Sequence, residues 1–202
     1  MRRGRLVVAI DGPGCCGKST LAGELLRFTR ASVLGTDDFH LPRGIDSDPQ
    51  SPLPYRRWKE LVAAVESLVA GRPASFRPID GVSRGLLAEV EVQPAPLLVI
   101  EGIGALHPSI AGMADYRIWV DGAAPSRMRR VGERDGESEV PNWEQYVQFE
   151  QAYLETCRPW VDVELWVFGA ELTFANSDRA FSRLIERHGS ASNALHESQS
   201  AD

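Results

Sequence analysis

The chain has 202 residues, which is long enough for one domain with a substantial hydrophobic core. Its net charge of −6 at pH 7 argues against general nucleic-acid binding, because that function needs a basic surface. Three cysteines, two of them adjacent, do not suggest a disulfide framework, and no stretch reaches the roughly 20 apolar residues of a membrane span. We therefore expect a cytoplasmic protein with no nucleic-acid or membrane partner.

Short apolar runs alternate with amphipathic helical patterns along the chain. The apolar runs predict five strands, at residues 6–10, 31–35, 96–102, 115–121 and 161–167. The clearest helices are predicted over residues 57–70 and from about residue 143 to residue 157. This alternation predicts an α/β fold, with a five-stranded parallel sheet between two layers of helices in a three-layer α/β/α arrangement.

Two segments interrupt the alternation and are predicted to cover a substrate. Residues 41–57 begin with a proline-rich loop, and the pattern of residues 74–93 predicts a small β-hairpin. A single domain is expected over residues 1–188, with a helical lid at about residues 125–140. The small and polar residues of 189–202 predict a disordered tail.

The sequence GPGCCGKS, Gly12–Ser19, fits the pattern G-x-x-x-x-G-K-[ST] of phosphate-binding loops. Its context fits as well, since an apolar strand precedes it and a helical pattern begins near Lys18. The loop amides would surround phosphates, Lys18 would neutralise their outer oxygens, and Ser19 would ligate Mg²⁺. The predicted ATP-binding residues are Gly12, Gly14, Cys15, Cys16, Gly17, Lys18, Ser19 and Thr20.

A second motif, the acidic segment GTDDFH, begins at the end of the second predicted strand. Ligands of open α/β sheets bind beyond the carboxyl ends of the strands, which is where Asp37 and Asp38 would lie. We predict that Asp37 is the catalytic base that orients an attacking hydroxyl and accepts its proton. Asp38 and His40 are predicted to lie at the acceptor, with His40 as a positioning residue. In the alternative interpretation, the aspartates cap a turn or hold Mg²⁺ through water.

Four further charged residues belong to the candidate site, and a fifth, Glu150, lies within an apolar helical stripe. Glu101 ends the third predicted strand, where it could reach Mg²⁺ or cap the next helix. Arg127, Arg130 and Arg134 repeat at helical spacing, which predicts that they close over a triphosphate and stabilise its developing charge. A solvated basic face has the same pattern. Glu150 interrupts an apolar helical stripe and needs a partner, which one of these arginines could supply.

In this order, the motifs resemble the uridine kinase-like family of P-loop kinases, which includes uridine-cytidine, nicotinamide riboside and pantothenate kinases and phosphoribulokinases. The resemblance covers roughly residues 5–168 and also includes FRPID, LLVIEGIGALHP and DYRIWVD. It implies a P-loop NTPase fold, ATP and Mg²⁺ as cofactors, Asp37 as the base, and Arg127, Arg130 and Arg134 in a mobile lid. The expected activity is transfer of the γ-phosphate of ATP to a hydroxyl of a small-molecule acceptor, by a homodimer or homotetramer.

The acceptor region departs from that family. Uridine kinases usually carry an aspartate before the helix that follows the proline-rich loop, whereas this chain has Arg56 and Arg57 there. In place of a tyrosine and a base-contacting histidine, it has Ile79 and Arg84. The arginines favour an anionic acceptor that carries a carboxylate or phosphate, unless they face solvent and Asp46, Asp48 or Asp80 supplies the missing acid. The predicted acceptor-binding residues are Asp38, His40, Arg56, Arg57, Arg77, Asp80 and Arg84.

Two other functional classes stay open. A cytidylate-type nucleoside monophosphate kinase would share AIDGPG, but TDDFH stands here in place of its DTGAMYR motif. A non-catalytic ATP-binding protein would need no acceptor, although the N-K-x-D motif of guanine-binding switches is absent from the sequence. ATP turnover that depends on an added small hydroxyl compound would distinguish a kinase from such a protein.

Overall fold

The computed structural model of the protein describes residues 4–45, 51–81, 83–136 and 140–168. Its strands are β1 (Leu6–Asp11), β2 (Ala31–Gly35), β3 (Ala74–Phe76), β4 (Val90–Val92), β5 (Leu97–Glu101), β6 (Tyr116–Asp121) and β7 (Leu165–Phe168). Its helices are α1 (Lys18–Phe28), α2 (Trp58–Val69), α3 (Pro108–Ala111), α4 (Ala124–Asp135) and α5 (Val140–Cys157). A 3₁₀ turn covers Thr36–Phe39, directly after β2.

Five of these strands form a parallel sheet in the order β2-β5-β1-β6-β7. The central strand is β1, in which Val8, Ala9 and Ile10 are almost fully buried. Uninterrupted apolar runs suit such strands, because helices cover both faces of a parallel sheet. The structure thus confirms the predicted fold class, a three-layer α/β/α arrangement around a five-stranded parallel sheet.

The register of three neighbouring strands determines where the loops that follow them lie. Ile10 of β1 and Gly35 of β2 both pair with Glu101 of β5. Because the strands are parallel, their carboxyl ends meet at one edge of the sheet. The loop after β1, the turn after β2 and the side chain of Glu101 are therefore brought together at that edge.

A hydrophobic core lies between the sheet and α2. Leu61 and Leu68 of α2 are fully buried in the same cluster as Leu98 of β5. Burying each such side chain stabilises the fold by about 1.5–3 kcal/mol. Phe39 of the 3₁₀ turn packs on Phe76 of β3, with ring centroids 4.5 Å apart. This contact fixes the turn to the antiparallel hairpin of β3 and β4, which lies within the predicted residues 74–93.

Two element boundaries differ from the predicted ones by three or more residues. The strand predicted at residues 161–167 begins only at Leu165. Before it, Arg158 adopts a left-handed φ of 45°, and the Val161 N–H closes a turn on the Arg158 carbonyl. The chain is therefore still in this turn at Val161, the first residue that the apolar pattern assigned to the strand. Helix α5 begins at Val140, earlier than predicted.

Some predicted segments fall outside the described residues. These are the tail at residues 189–202, the last part of the expected domain from residue 169 to residue 188, and residues 46–50 of the proline-rich loop. The predicted lid corresponds to α4 and the start of α5, except for residues 137–139, which are likewise not described. Within the described ranges, no helix is both long enough and apolar enough to cross a membrane.

Gly12 has no room for a side chain, since its φ is +149° and a Cβ would lie 1.9 Å from the carbonyl oxygen of Val120 on β6. We predict that Gly12→Ala lowers the free energy of unfolding by roughly 2 kcal/mol or more, because backbone must move to relieve the contact. Urea denaturation measures this change. Gly23→Ala is the matched control, because Gly23 lies inside α1 with open space around it and should gain about 0.5–1 kcal/mol. Similar effects of both substitutions would contradict the prediction.

Candidate functional site

The loop after β1 turns back on itself before α1 begins. Gly17 precedes the first residue of α1 with a φ of 99°, and Cys15 has an uncommon positive φ of 59°. The Leu21 N–H bonds to the Gly17 carbonyl, so the amides of residues 18–20 precede the first hydrogen bond of the helix. The loop therefore offers backbone donors and the positive end of a helix dipole to an anion, as the motif predicts.

Two side chains of the loop are buried. The ammonium of Lys18 donates to the Pro13 carbonyl at 2.7 Å, which holds its charge over the loop. Burial raises the pKa of the Cys16 thiol to about 11, so this thiol stays protonated at neutral pH. Cys15 is half-buried, and Thr20 is exposed on the first turn of α1. The protonated state of Cys16 fits a space-filling role in the loop.

Ser19 and Glu101, which are predicted to bind the metal, lie side by side. The Ser19 hydroxyl lies 3.1 Å and 3.3 Å from the two carboxylate oxygens of Glu101. Burial, and then the negative charge of Asp37, raise the pKa of Glu101. A hydroxyl and a carboxylate side by side are oxygen donors of the kind that Mg²⁺ prefers. Among the described residues, no group of three or more His, Cys, Asp and Glu side chains has the arrangement of a metal site.

The 3₁₀ turn after β2 presents Asp37 to solvent at this edge, with its side chain 70% exposed. Its Oδ1 lies 3.3 Å from Nη1 of Arg56 and 3.7 Å from Nε2 of His40. Desolvation by the surrounding protein would raise the pKa of Asp37, but the neighbouring groups, Arg56 first and then His40 and Lys18, together outweigh it and hold the pKa below its usual value. By contrast, burial and the charge of Asp37 raise the pKa of Asp38. Asp37 is thus the more firmly ionised of the two carboxylates.

Arg56 and Arg57 donate hydrogen bonds to backbone carbonyls in and around this turn. Arg56 is 4% exposed and donates to the carbonyls of Thr36 and Ile103, besides its contact with Asp37. Arg57 donates to the carbonyls of His40, Asp38 and Arg77. Most of their N–H groups are therefore used within the protein. The sequence predicts that both arginines bind the acceptor, whereas in the structure their observed contacts hold the backbone around Asp37.

His40 lies between Arg84, a predicted site residue, and Tyr146, which the sequence did not indicate. Its Nε2 is 2.5 Å from the hydroxyl of Tyr146 on α5, and its Nδ1 is 3.4 Å from Nη1 of Arg84. Arg84 therefore lies beside the acidic turn. Arg77 is exposed and donates to the carbonyls of Leu86 and Leu87. Asp80 accepts the Ser83 N–H at 2.5 Å in the turn that leads to Arg84.

The arginines of α4 contact the outside of the phosphate loop. Arg127 donates from Nε to the Gly14 carbonyl at 2.8 Å, and Arg130 donates to the Cys15 carbonyl at 3.0 Å. Nη2 of Arg127 also forms an ion pair with Oε1 of Glu150 at 2.5 Å. The expectation that Glu150 needs one of these arginines is thus confirmed. Arg134 is exposed near the end of α4, farther along the same helix.

Sequence reasoning missed Asp11, which is fully buried at the end of β1. Its carboxylate accepts the N–H groups of Gly12, Gly104 and Leu106 at 2.7–3.1 Å, and the Tyr153 hydroxyl at 2.6 Å. Burial raises the pKa of Asp11, while these hydrogen bonds oppose the rise. The available signal was a carboxylate that ends an apolar strand directly before the loop. Tyr146 gave no such signal, because it fitted the apolar stripe of α5.

The comparisons with known proteins agree with this geometry, although no family model matches the sequence. Uridine-cytidine kinase C of Dictyostelium discoideum is 29% identical over 121 residues, which is 58% of this chain but only 27% of that protein. Uridine kinase of Mycoplasma pneumoniae is 23% identical over 206 aligned positions, covering 91% of this chain and 95% of its own.

Among solved structures, a possible uridine kinase from Bacillus stearothermophilus superposes with a TM-score of 0.62 at 20% identity. The match covers 83% of this chain and 90% of that one, so the two share a fold. The fold and the phosphate loop are those of a P-loop protein. Together with the curated relatives, these similarities support a uridine kinase-like P-loop kinase family for this chain, as its motifs predict.

Burial, followed by the positive charge of Arg56, lowers the pKa of His40 to about 3 from its ordinary value of 6.5. Below about pH 6.5 the unfolded chain takes up a proton at His40, whereas the folded protein does not until about pH 3. We predict that the free energy of unfolding decreases as the pH falls through this window. His40→Gln should reduce the slope by ~1.4 kcal/mol per pH unit, the value for one proton. Urea denaturation between about pH 7.5 and about pH 4.5 tests this, and an unchanged slope would contradict it.

Proposed function

We propose that the protein is an ATP-dependent, Mg²⁺-assisted phosphotransferase of the uridine kinase type, which transfers the γ-phosphate to a hydroxyl of a small metabolite. One observation carries the proposal. The parallel register of β1, β2 and β5 brings the phosphate loop, Asp37 and the Ser19–Glu101 pair to one edge of the sheet. A binding loop alone would fit any nucleotide-binding protein, but an ionised carboxylate beside it fits phosphoryl transfer to a hydroxyl.

The residues of the chain divide the binding of the nucleotide between them. The loop amides and Lys18 would hold the phosphates, and Ser19 with Glu101 would hold Mg²⁺. When bound, Mg²⁺ would neutralise charge on the phosphate oxygens. Arg127 and Arg130 lie against the loop carbonyls and would stabilise the charge that develops on the transferred group.

Asp37 supplies the proton acceptor in this proposal. The acceptor oxygen forms a bond to the γ-phosphorus while the bond between that phosphorus and the bridging oxygen breaks. The bond electrons stay with ADP, and the hydroxyl proton passes to the Asp37 carboxylate. Arg56 lies 3.3 Å away and keeps the pKa of Asp37 low against desolvation, so the carboxylate is ionised at neutral pH.

Asp37→Asn keeps the shape of the side chain but cannot accept a proton. We predict that it lowers kcat by about 10²-fold or more, with little change in the Kd for Mg-ATP, because the side chain contacts the acceptor rather than the nucleotide. A coupled ADP-release assay and calorimetric binding measure the two quantities. Asp38→Asn is the matched control and should lose less activity. An equal loss of ATP binding would assign Asp37 to the metal, and an unchanged kcat would point to Asp38.

The acceptor we propose is a small hydroxylated acid or a phosphorylated compound. Arg84 supports this choice, since its guanidinium lies next to His40, which in turn lies 3.7 Å from Asp37. A cation there suits a carboxylate or phosphate better than the two hydroxyls of a ribose, because a guanidinium has no acceptor for their O–H groups. Asp46 and Asp48, which could supply a ribose-binding acid instead, lie outside the described residues. Magnesium dependence, a cytoplasmic location and a homodimer or homotetramer stay predictions.

An acceptor screen tests the choice. We predict that uridine is a poor substrate and that hydroxylated acids or sugar phosphates give more ADP release at equal concentration, because they can pair with the cation. Arg84→Gln should raise the KM for the best anionic acceptor and leave that for uridine unchanged. Turnover of uridine with kcat/KM above ~10⁴ M⁻¹s⁻¹ would contradict the prediction.

A further inference from the structure

Gly14 is held on both sides by one ion pair. Its N–H donates to Oε2 of Glu150 at 2.8 Å, and its carbonyl accepts from Nε of Arg127 at 2.8 Å. The two charged side chains also pair with each other at 2.5 Å, and they are only 3% and 11% exposed. The three groups form a closed ring around a single residue of the phosphate loop, which we call the Gly14 clamp.

The surroundings of the clamp leave Gly14 little freedom. A Cβ on Gly14 would lie 3.2 Å from Nε1 of Trp143 and 3.3 Å from Oε2 of Glu150. The guanidinium of Arg127 also lies over the ring of Trp143, 5.1 Å from its centroid. Trp143 and Glu150 come from α5, whereas Arg127 comes from α4. Two helices that are distant from the loop in sequence therefore fix the two peptide groups on either side of Gly14.

We infer that Glu150 is a positioning residue for nucleotide binding, which acts by holding Gly14 and Arg127 in place. The inference rests on the proposed function. A buried ion pair is weak evidence for added stability, because desolvation of the charges opposes their attraction. It does impose geometry, and here that geometry falls on Gly14, next to the loop amides that would face the phosphates. Preorganised backbone donors bind an anion without the entropic cost of ordering the loop at that moment.

The chemistry of Glu150 also predicts which substitution breaks the clamp. Both of its oxygens accept hydrogen bonds, one from the Gly14 N–H and one from Arg127. A glutamine has the same shape but only one acceptor oxygen, so its NH₂ group would face one of the two donors. Glu150→Gln therefore loses one side of the ring and leaves the Arg127 charge without its counter-ion.

The test measures binding of Mg-AMPPNP to the full chain by calorimetry, together with the melting temperature. We expect Glu150→Gln to raise the Kd roughly tenfold, the value of one lost hydrogen bond to a charged group. Glu155→Gln is the matched control, because Glu155 is exposed on α5 and bonds to Gln151. The double variant Glu150→Gln with Arg127→Gln should bind no more weakly than the weaker single variant, since the clamp is then already broken.

Three results would overturn the inference. An unchanged Kd with a lowered melting temperature would make Glu150 a structural residue only, and a lower Kd would mean that its carboxylate competes with phosphate. Losses that multiply in the double variant would show that the two residues act separately. If Glu150→Gln does not fold, Arg127→Lys is measured instead, because one ammonium cannot reproduce the guanidinium fork that joins Gly14 to Glu150. The Kd of Arg127→Lys for Mg-AMPPNP should also rise. An unchanged Kd would count against the clamp.

The binding assay separates this inference from the proposed function. No acceptor is present, so the effect of Glu150 on Mg-AMPPNP can be measured whether or not phosphate is transferred. A wild-type chain that binds Mg-AMPPNP but phosphorylates no acceptor would contradict the proposed function and leave the clamp supported or refuted by its own Kd values. A wild-type chain that does not bind Mg-AMPPNP would overturn both.

Discussion

The buried carboxylate of Asp11 is the contact on which the arrangement of the site depends. Its four hydrogen-bond donors come from the start of the phosphate loop, from the segment after β5 and from α5. A charge at that depth is tolerated only because each oxygen is well supplied with donors. One side chain thereby joins three segments, which are the start of the phosphate loop, the segment that follows Glu101 and helix α5.

The acids at the edge of the sheet differ in what stands behind them. Asp37 lies beside the guanidinium of Arg56, and its pKa is lowered. Burial and the negative charge of Asp37 raise the pKa values of both Asp38 and Glu101. Carboxylates within one small region cannot all ionise with equal ease. The buried guanidinium therefore selects which acid carries the negative charge most firmly, and this separation is what acid–base chemistry at neutral pH requires.

The sheet, the phosphate loop and the location of Asp37 follow from local patterns. Apolar runs mark the strands, and parallel strands send their following loops to one edge. The partners of those residues do not follow from such patterns. Tyr146 is 106 residues from His40, and Tyr153 is 142 residues from Asp11, so both tyrosines fit an apolar helical stripe equally well. The sequence position of Arg56 predicts a cation near the acceptor site. It does not show whether the guanidinium faces a ligand or, as in the structure, backbone carbonyls.

The contact of Trp143 with the phosphate loop has an optical consequence. An indole that lies beside a guanidinium and a glycine peptide has an emission energy and intensity that depend on those neighbours. The chain has five tryptophans, and Trp119 instead has its ring beside those of Trp160 and Trp166, at centroid distances of 5.6 Å and 6.4 Å. Any rearrangement of the Gly14 peptide therefore changes the surroundings of a fluorophore that the protein already carries, without an added label.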